Sequence, residues 1–228
     1  MMTSLLFLGL TVAVYLLAKR LYVRSGKIYC SPLIITPLIM IGILLFSGTS
    51  YESYNAGGKW LSDLLQPATV AFAIPLHKNF KVLKKHAAEI AAGVLTGTVT
   101  AVLSSMLLAK WLHLSGDLAT SLVPRSVTTP IAMSISQNIG GVPSITAVFV
   151  ILTGILGTLM GPSVLRLFRI DNEIARGVSL GTAAHGTGTS KAFELSSLTG
   201  TISSIAMILT ALFSIGLAPA LLAVFLQH

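Results

Sequence analysis

Five stretches of this chain run without a single Asp, Glu, Lys, Arg or His: Met1 to Ala18, Ile28 to Tyr51, Ile90 to Ala109, Ser126 to Leu165 and Leu195 to Gln227. Several reach the roughly 20 residues that a helix needs to cross a bilayer, and the two longest can hold more than one element. Such a pattern predicts an all-α polytopic integral membrane protein. Composition agrees, because only 10% of the residues are charged where a soluble domain carries about a quarter, and the mean hydropathy is +0.86. The pattern argues against a soluble enzyme.

A net charge of +8 would suggest nucleic acid in a soluble protein. Here the cations sit in short clusters beside apolar spans, which argues for a lipid bilayer and no nucleic acid. Lys19, Arg20, Arg24 and Lys27 follow the first span, and Lys78, Lys81, Lys84 and Lys85 precede a later one, as expected for loops held on the cytoplasmic side. The first apolar run has its positive charges after it rather than before it, opposite to a cleavable signal peptide. That places the N-terminus outside, with the segment retained. Cys30 has no second cysteine with which to pair, and it reads as a packing residue. The only long polar external stretch is Thr49 to Gly58, so residues 1–228 form one membrane domain.

Within that domain, Ser4 to Ala18 and Pro32 to Phe46 read as two ordinary spans, a helix pair over residues 1–47. After them the sequence repeats. Leu65-Gln66-Pro67-Ala68-Thr69-Val70 matches Leu122-Val123-Pro124-Arg125-Ser126-Val127 at an offset of 57 residues, and Val94-Leu95-Thr96-Gly97 matches Ile151-Leu152-Thr153-Gly154 at the same offset. A third Leu-Thr-Gly stands at Leu198, after the interrupted stretch Gly181 to Thr189. The reading is three units, 60–112, 117–168 and 177–226, each a broken segment followed by a helix. Such repeats mark transporter folds, although Leu-Thr-Gly can also be a packing tripeptide. Crossing by both of the first two broken segments puts Arg166, Arg169 and Arg176 outside, whereas a re-entrant Leu118 to Ile139 keeps them inside. Seven crossings are therefore favoured over eight.

Three windows could carry chemistry. Pro67 and Pro75 interrupt a short apolar run, where a proline removes a backbone donor and frees a carbonyl; kinking for packing is the plainer explanation. Between Pro124 and Pro130 stands Arg125, a costly charge beside 40 residues without an ionisable partner. Its fork of donors fits a carboxylate, and Ser126, Thr128 and Thr129 offer hydroxyls nearby, while snorkelling to headgroups is the alternative. In the third window Gly181 marks a helix break, Gly186 and Gly188 permit close backbone approach, and Thr187 and Thr189 offer hydroxyls. His185 is a candidate proton carrier there, or a structural histidine. Lys191 could bind substrate and Glu194 could take part in proton coupling, or the two could simply neutralise each other. The pairs Gly93/Gly97, Gly157/Gly161 and Gly177/Gly181 have spacing for close helix packing and leave a homodimer face open. No metal or cofactor motif stands out.

The motifs Gln66-Pro67-Ala68-Thr69-Val70-Ala71-Phe72-Ala73-Ile74-Pro75-Leu76, Pro124-Arg125-Ser126-Val127-Thr128-Thr129-Pro130 and Gly181-Thr182-Ala183-Ala184-His185-Gly186-Thr187-Gly188-Thr189 resemble the CidB/LrgB family of bacterial membrane proteins, and the second is closer to the CidB side. The likeness covers nearly the whole chain. It implies a bacterial cell membrane and a small membrane partner of the CidA/LrgA type. Two functions follow from it. One is antiholin-like or holin-like control of murein hydrolase activity and cell lysis. The other is transport of small carboxylates such as pyruvate, lactate, acetate or glycolate, because a plastid glycolate and glycerate translocator is similar to a fusion of both partners. The residues favour a carboxylate site at Thr69, Arg125, Ser126, Thr128, Thr129, His185, Gly186, Thr187, Gly188, Thr189 and Lys191.

Overall fold

The structure, a computed structural model, describes residues 2–26, 30–64, 67, 70, 73–78 and 80–226. The described residues are helical, with short turns, and fall into two compact units, Met1–Ala71 and Phe72–His228. In the first, α1 (Met2–Ser25) packs against α2 (Pro32–Ser47) and α3 (Tyr51–Asp63). The Ser31 hydroxyl accepts from the Leu33 N–H at 3.3 Å to start α2, with Pro32 at its first turn where a missing N–H costs nothing. Gly48, at φ 63°, ends the same helix in the left-handed conformation. Phe7 meets Tyr54 edge-on, with ring centroids 5.9 Å apart. Cys30 sits just ahead of α2 and is half-buried, not packed in a core as expected, since few side chains of this unit are buried at all.

In the second unit α4 (Ala73–Lys78) and α5 (Phe80–Lys85) lead into α6 (Ala87–Trp111). Then come α7 (Gly116–Leu122), α8 (Thr129–Asn138), α9 (Pro143–Leu167), α10 (Glu173–Leu195) and α11 (Ser197–Leu226). Ile202, Ile205 and Ala206 of α11 are inaccessible and form a core with Ile90 and Val94 of α6. Hydroxyls on these apolar helices fold back onto carbonyls a turn earlier: Thr98 onto Val94, Thr210 onto Ala206, Ser204 onto Gly200. A polar group is thereby satisfied without water.

Among the described residues four helices are long and apolar enough to cross a membrane: Leu5–Ser25, Ala87–Trp111, Pro143–Leu167 and Ser197–Val224, with α2 a shorter apolar helix. Large side chains such as Leu17, Phe46, Leu107, Leu156 and Leu212 face outward, an arrangement suited to lipid and costly in water. The chain is thus a polytopic helical membrane protein. The described residues supply four such spans, fewer than the seven crossings favoured from sequence.

One reason lies in α10. Its dihedral angles leave the helical region at Ala184 and at His185, which has φ 42° and ψ −131°. A Cβ added to Gly188 would collide with the carbonyl of Leu180, eight residues earlier and about 12 Å away in an unbroken helix. So α10 doubles back on itself, as two arms of about 18 Å and 15 Å, too short to cross. The break falls at Ala184–His185 and not at Gly181, as expected from sequence. Gly181 is helical, and its missing side chain admits the Ser203 carbonyl and Ala206 of α11.

The chain from α7 to α8 behaves alike. Ser121 at the end of one and Ser136 near the end of the other both meet the start of α9, where Val142 donates to Ser121 Oγ at 2.8 Å and Thr146 Oγ1 lies 2.6 Å from Ser136 Oγ. This segment leaves that point and returns to it. Contacts fix the directions of the long helices. Gly93 faces Val178 and Gly97 faces Thr182, so α6 and the first arm of α10 run in the same direction. Gly154 faces His185, Gly157 faces Ala184 and Gly161 faces Leu180, so α9 runs against them. The start of α6, the end of α9 and the start of α10 therefore share one end of the unit, which collects Lys81, Lys84, Lys85, Arg166, Arg169 and Arg176. All three GxxxG pairs are used inside the chain for helix packing.

Candidate functional site

Arg125 stands in the tight turn between α7 and α8, where Arg125 N–H bonds the Leu122 carbonyl at 3.2 Å and Val127 N–H the Pro124 carbonyl at 3.0 Å. Pro124 is fully buried beneath it. The guanidinium reaches across to α6: Nε donates to Ser105 Oγ at 2.8 Å and Nη2 to Ser104 Oγ at 3.2 Å. Both serine hydroxyls donate in turn to the Ala101 carbonyl, at 2.7 and 3.0 Å, so their lone pairs are left to face the arginine. These neutral partners orient the cation without cancelling its charge. Among the described residues no carboxylate lies within ion-pair distance of Arg125, and a guanidinium has five N–H donors, more than these two bonds use.

Beside it a groove of about 960 Å³ runs between α6 and the first arm of α10. Glu89 and Asn172 flank one end, the cation-rich end of the unit. Thr96, Gly97 and Thr100 line α6, Val178 and Ser179 line α10, and Arg125, Ser126, Thr182 and Ala183 close the inner end. From Glu89 to Ala101 the distance along α6 is about 18 Å. The walls are small residues because glycines bring the helices together: a Cβ on Gly97 would lie 2.7 Å from Thr182 Cγ2. Thr182 is 5% exposed and its hydroxyl is buried without a hydrogen-bond partner. An unmade bond of that kind costs about 1–3 kcal/mol; the Thr182 residue lines the cavity beside an unneutralised cation, with its hydroxyl turned into the wall.

Of the residues expected at the site from sequence, the structure brings Arg125 and Ser126 to the groove. Thr128 and Thr129 begin α8 and do not line it, although the Thr128 hydroxyl is also buried without a partner. His185 is turned away, its Nε2 3.0 Å from the Val150 carbonyl, and it is held by the helix packing around it. Gly186, Thr187, Gly188 and Thr189 lie off the groove: Thr187 bonds the Ala184 carbonyl at 2.9 Å and Thr189 shares a hydrogen bond with Ser203 at 3.0 Å. Lys191 Nζ meets Glu194 at 2.5 Å, the mutual neutralisation that their spacing allowed, and neither reaches the groove. Pro130 sits in the first turn of α8, and Pro75 lies inside α4. Thr69 lies outside the described residues, and Pro67 is described without its neighbours. Sequence reasoning missed Ser104 and Ser105 as partners of this site, and Thr182, although part of the third motif, is not among the residues expected to bind. The serines lie 20 residues or more from Arg125 in the chain, and only the fold brings them near.

A family model described as the LrgB-like family matches residues 11–224, which bears out the resemblance read from the three motifs. The Uncharacterized protein YwbG of Bacillus subtilis (strain 168) is 61% identical over 97% of this chain and 99% of its own length. The Uncharacterized protein YxaC of the same organism is 39% identical over 99% and 97%. The Holin-like protein CidB of Staphylococcus aureus (strain Mu50 / ATCC 700699) is 38% identical over 97% of each. No solved structure matches the chain.

Proposed function

The chain belongs to the LrgB-like family, and from that premise we propose that it is a membrane facilitator of small monocarboxylate anions, the class of pyruvate, lactate, acetate and glycolate. The observation that carries the proposal is the Arg125 guanidinium at the inner end of the groove, oriented by Ser104 and Ser105 and left without a counter-charge. A charge at membrane depth costs roughly 2.5–3.5 kcal/mol on insertion scales, and an anion is what would offset it. Ser126 beside it lines the groove, and the unpartnered hydroxyl of Thr182, buried behind the wall, would reach a ligand of a few heavy atoms only by rotation of its side chain. One guanidinium and two hydroxyls bind weakly, and weak binding suits release.

The groove opens toward the end that carries Lys81, Lys84, Lys85, Arg166, Arg169 and Arg176. By the positive-inside tendency that end is cytoplasmic. The α7–α8 and α10 segments are then re-entrant from opposite faces, tolerated because protein surrounds them. A small membrane partner of the CidA/LrgA type belongs to the proposal. The placement of His185 and Glu194, away from the groove, lends no support to a proton link through them.

A second reading is favoured by the name of its relatives: holin-like proteins suggest regulation of lysis through membrane assembly. Uptake of labelled pyruvate, lactate, acetate and glycolate into proteoliposomes, with and without the partner, separates the two. Saturable uptake that is lost in Arg125→Ala is the expected result. Uptake that persists in Arg125→Ala removes the site, and no uptake by folded protein in either preparation favours the assembly reading.

A further inference from the structure

The second unit contains one design twice. Both α6 and α9 have 25 residues. Each is followed, after a short link, by a stretch that reverses: 116–138 in the first case and 173–195 in the second. Those stretches start 57 residues apart and end 57 residues apart, the offset at which Val94-Leu95-Thr96-Gly97 matches Ile151-Leu152-Thr153-Gly154. Because α6 and α9 run in opposite directions, the copies are inverted. The inner end of the groove obeys the same relation. Arg125 and Thr182 are 57 apart, as are Ser126 and Ala183, and all four line it.

The two copies are not in the same state. On one side, the groove between α6 and the first arm of α10 is open, with Thr96, Thr100, Ala175 and Ser179 exposed along it. Its counterpart would lie between α9 and α7, and it is shut. Ser121 and Thr146 are fully buried; Ser121 Oγ accepts from Val142 N–H at 2.8 Å, and Thr146 Oγ1 stands 3.0 Å from the Ser121 carbonyl and 2.6 Å from Ser136 Oγ. The register differs too. Gly93 faces Val178, so the equivalent of that contact would set Val150 against Ser121. Thr146 stands there instead, four residues or just over one helical turn away, about 6 Å along the axis.

We propose that Ser121, Ser136 and Thr146 form the closed gate of a second access groove, between α7 and α9 at the end of the unit away from the cation cluster. It opens when α9 moves about one turn along α7 while the α6–α10 groove closes. Inverted repeats permit this exchange because each copy can adopt the arrangement now held by the other, and packed interfaces switch between discrete registers rather than deform continuously. The inference rests on the transport reading for its purpose. The geometry supplies the gate.

The test uses pseudo-equivalent positions in a Cys30→Ser background. Leu122 is buried beside the gate and Ser179 lines the open groove, 57 residues on. In purified protein, Ser179→Cys should react quickly with a membrane-impermeant maleimide and Leu122→Cys slowly. Adding Thr146→Val removes the hydroxyl that joins Ser121 to Ser136. Labelling of Leu122→Cys should then rise about three- to tenfold, the effect of one hydrogen bond on an equilibrium, while labelling of Ser179→Cys falls. Ser136→Ala repeats the measurement where Thr146→Val yields no folded protein. Unchanged labelling, or a rise at both positions, overturns the gate. The readout requires no transport: opposed shifts in a protein without uptake would sink the transport reading alone, and uptake without opposed shifts would sink the gate alone.

Discussion

Arg125 ties the α7–α8 turn to α6 by two hydrogen bonds, which offset the cost of a charge at membrane depth only in part, and that separates its role from structural ones. Two serine hydroxyls, each committed to the Ala101 carbonyl, hold its fork but leave its charge unanswered. Arg125→Ala should therefore leave the apparent melting temperature in detergent unchanged or raised while uptake is lost, a combination that a purely structural arginine would not give. In Arg125→Lys an ammonium replaces the planar fork and cannot meet Ser104 and Ser105 in the same geometry; the half-saturation concentration should rise about tenfold, read from initial uptake rates. Thr182 makes a finer distinction. Thr182→Ser keeps the hydroxyl and Thr182→Val keeps the shape, so if the unpartnered hydroxyl serves a ligand, the valine variant alone should weaken binding, by about three- to tenfold for one neutral hydrogen bond.

The elements show why the long apolar helices were legible in the sequence and the reversals were only partly so. The uncharged stretches around α1, α2, α6, α9 and α11 announce themselves by length. A re-entrant α7–α8 could be suspected from Pro124 and Pro130 and from the arginines beyond. The reversal of α10 carries no proline; it depends on His185 at φ 42° and ψ −131°, a conformation that glycine adopts with less strain than any other residue. A fixed bond from its Nε2 to the Val150 carbonyl helps hold it. His185→Gly should accordingly be more stable than His185→Ala by about 1 kcal/mol, since both lose that bond and only glycine relaxes the backbone; thermal unfolding in detergent measures the difference. Gly181 misled the reading because glycine serves two purposes, turning a chain and admitting a neighbour, and sequence does not say which. The same ambiguity predicts a contrast. Gly181→Ala, against the Ser203 carbonyl, should destabilise strongly, whereas Gly216→Ala, with open space around its Cβ, should stabilise by up to about 1 kcal/mol.

For the second unit as a whole, the decisive quantity is which end faces the cytoplasm, because orientation converts a groove into a direction of access. The local contacts leave little freedom. Gly93 against Val178 and Leu180 against Leu165 gather the start of α6, the start of α10 and the end of α9 at one end, so the lysines before α6 and the arginines around the α9–α10 link must lie on the same side. Had the α7–α8 segment crossed the bilayer, the two cation clusters would stand on opposite faces and their bias would cancel. With α7–α8 returning, the bias adds, and both clusters then favour the same positive-inside orientation, which is the one expected. Single cysteines in a Cys30→Ser background can read this in intact cells. Ser115→Cys, in the α6–α7 link, should react with an impermeant maleimide added outside; Lys84→Cys and Glu173→Cys should react only after the membrane is permeabilised. Reaction of Glu173→Cys from outside together with protection of Lys84→Cys would mean that α7–α8 crosses, and the paired grooves would lose their geometric basis. Reaction of both from outside would keep the pairing and reverse it, making Arg125 accessible from the external face.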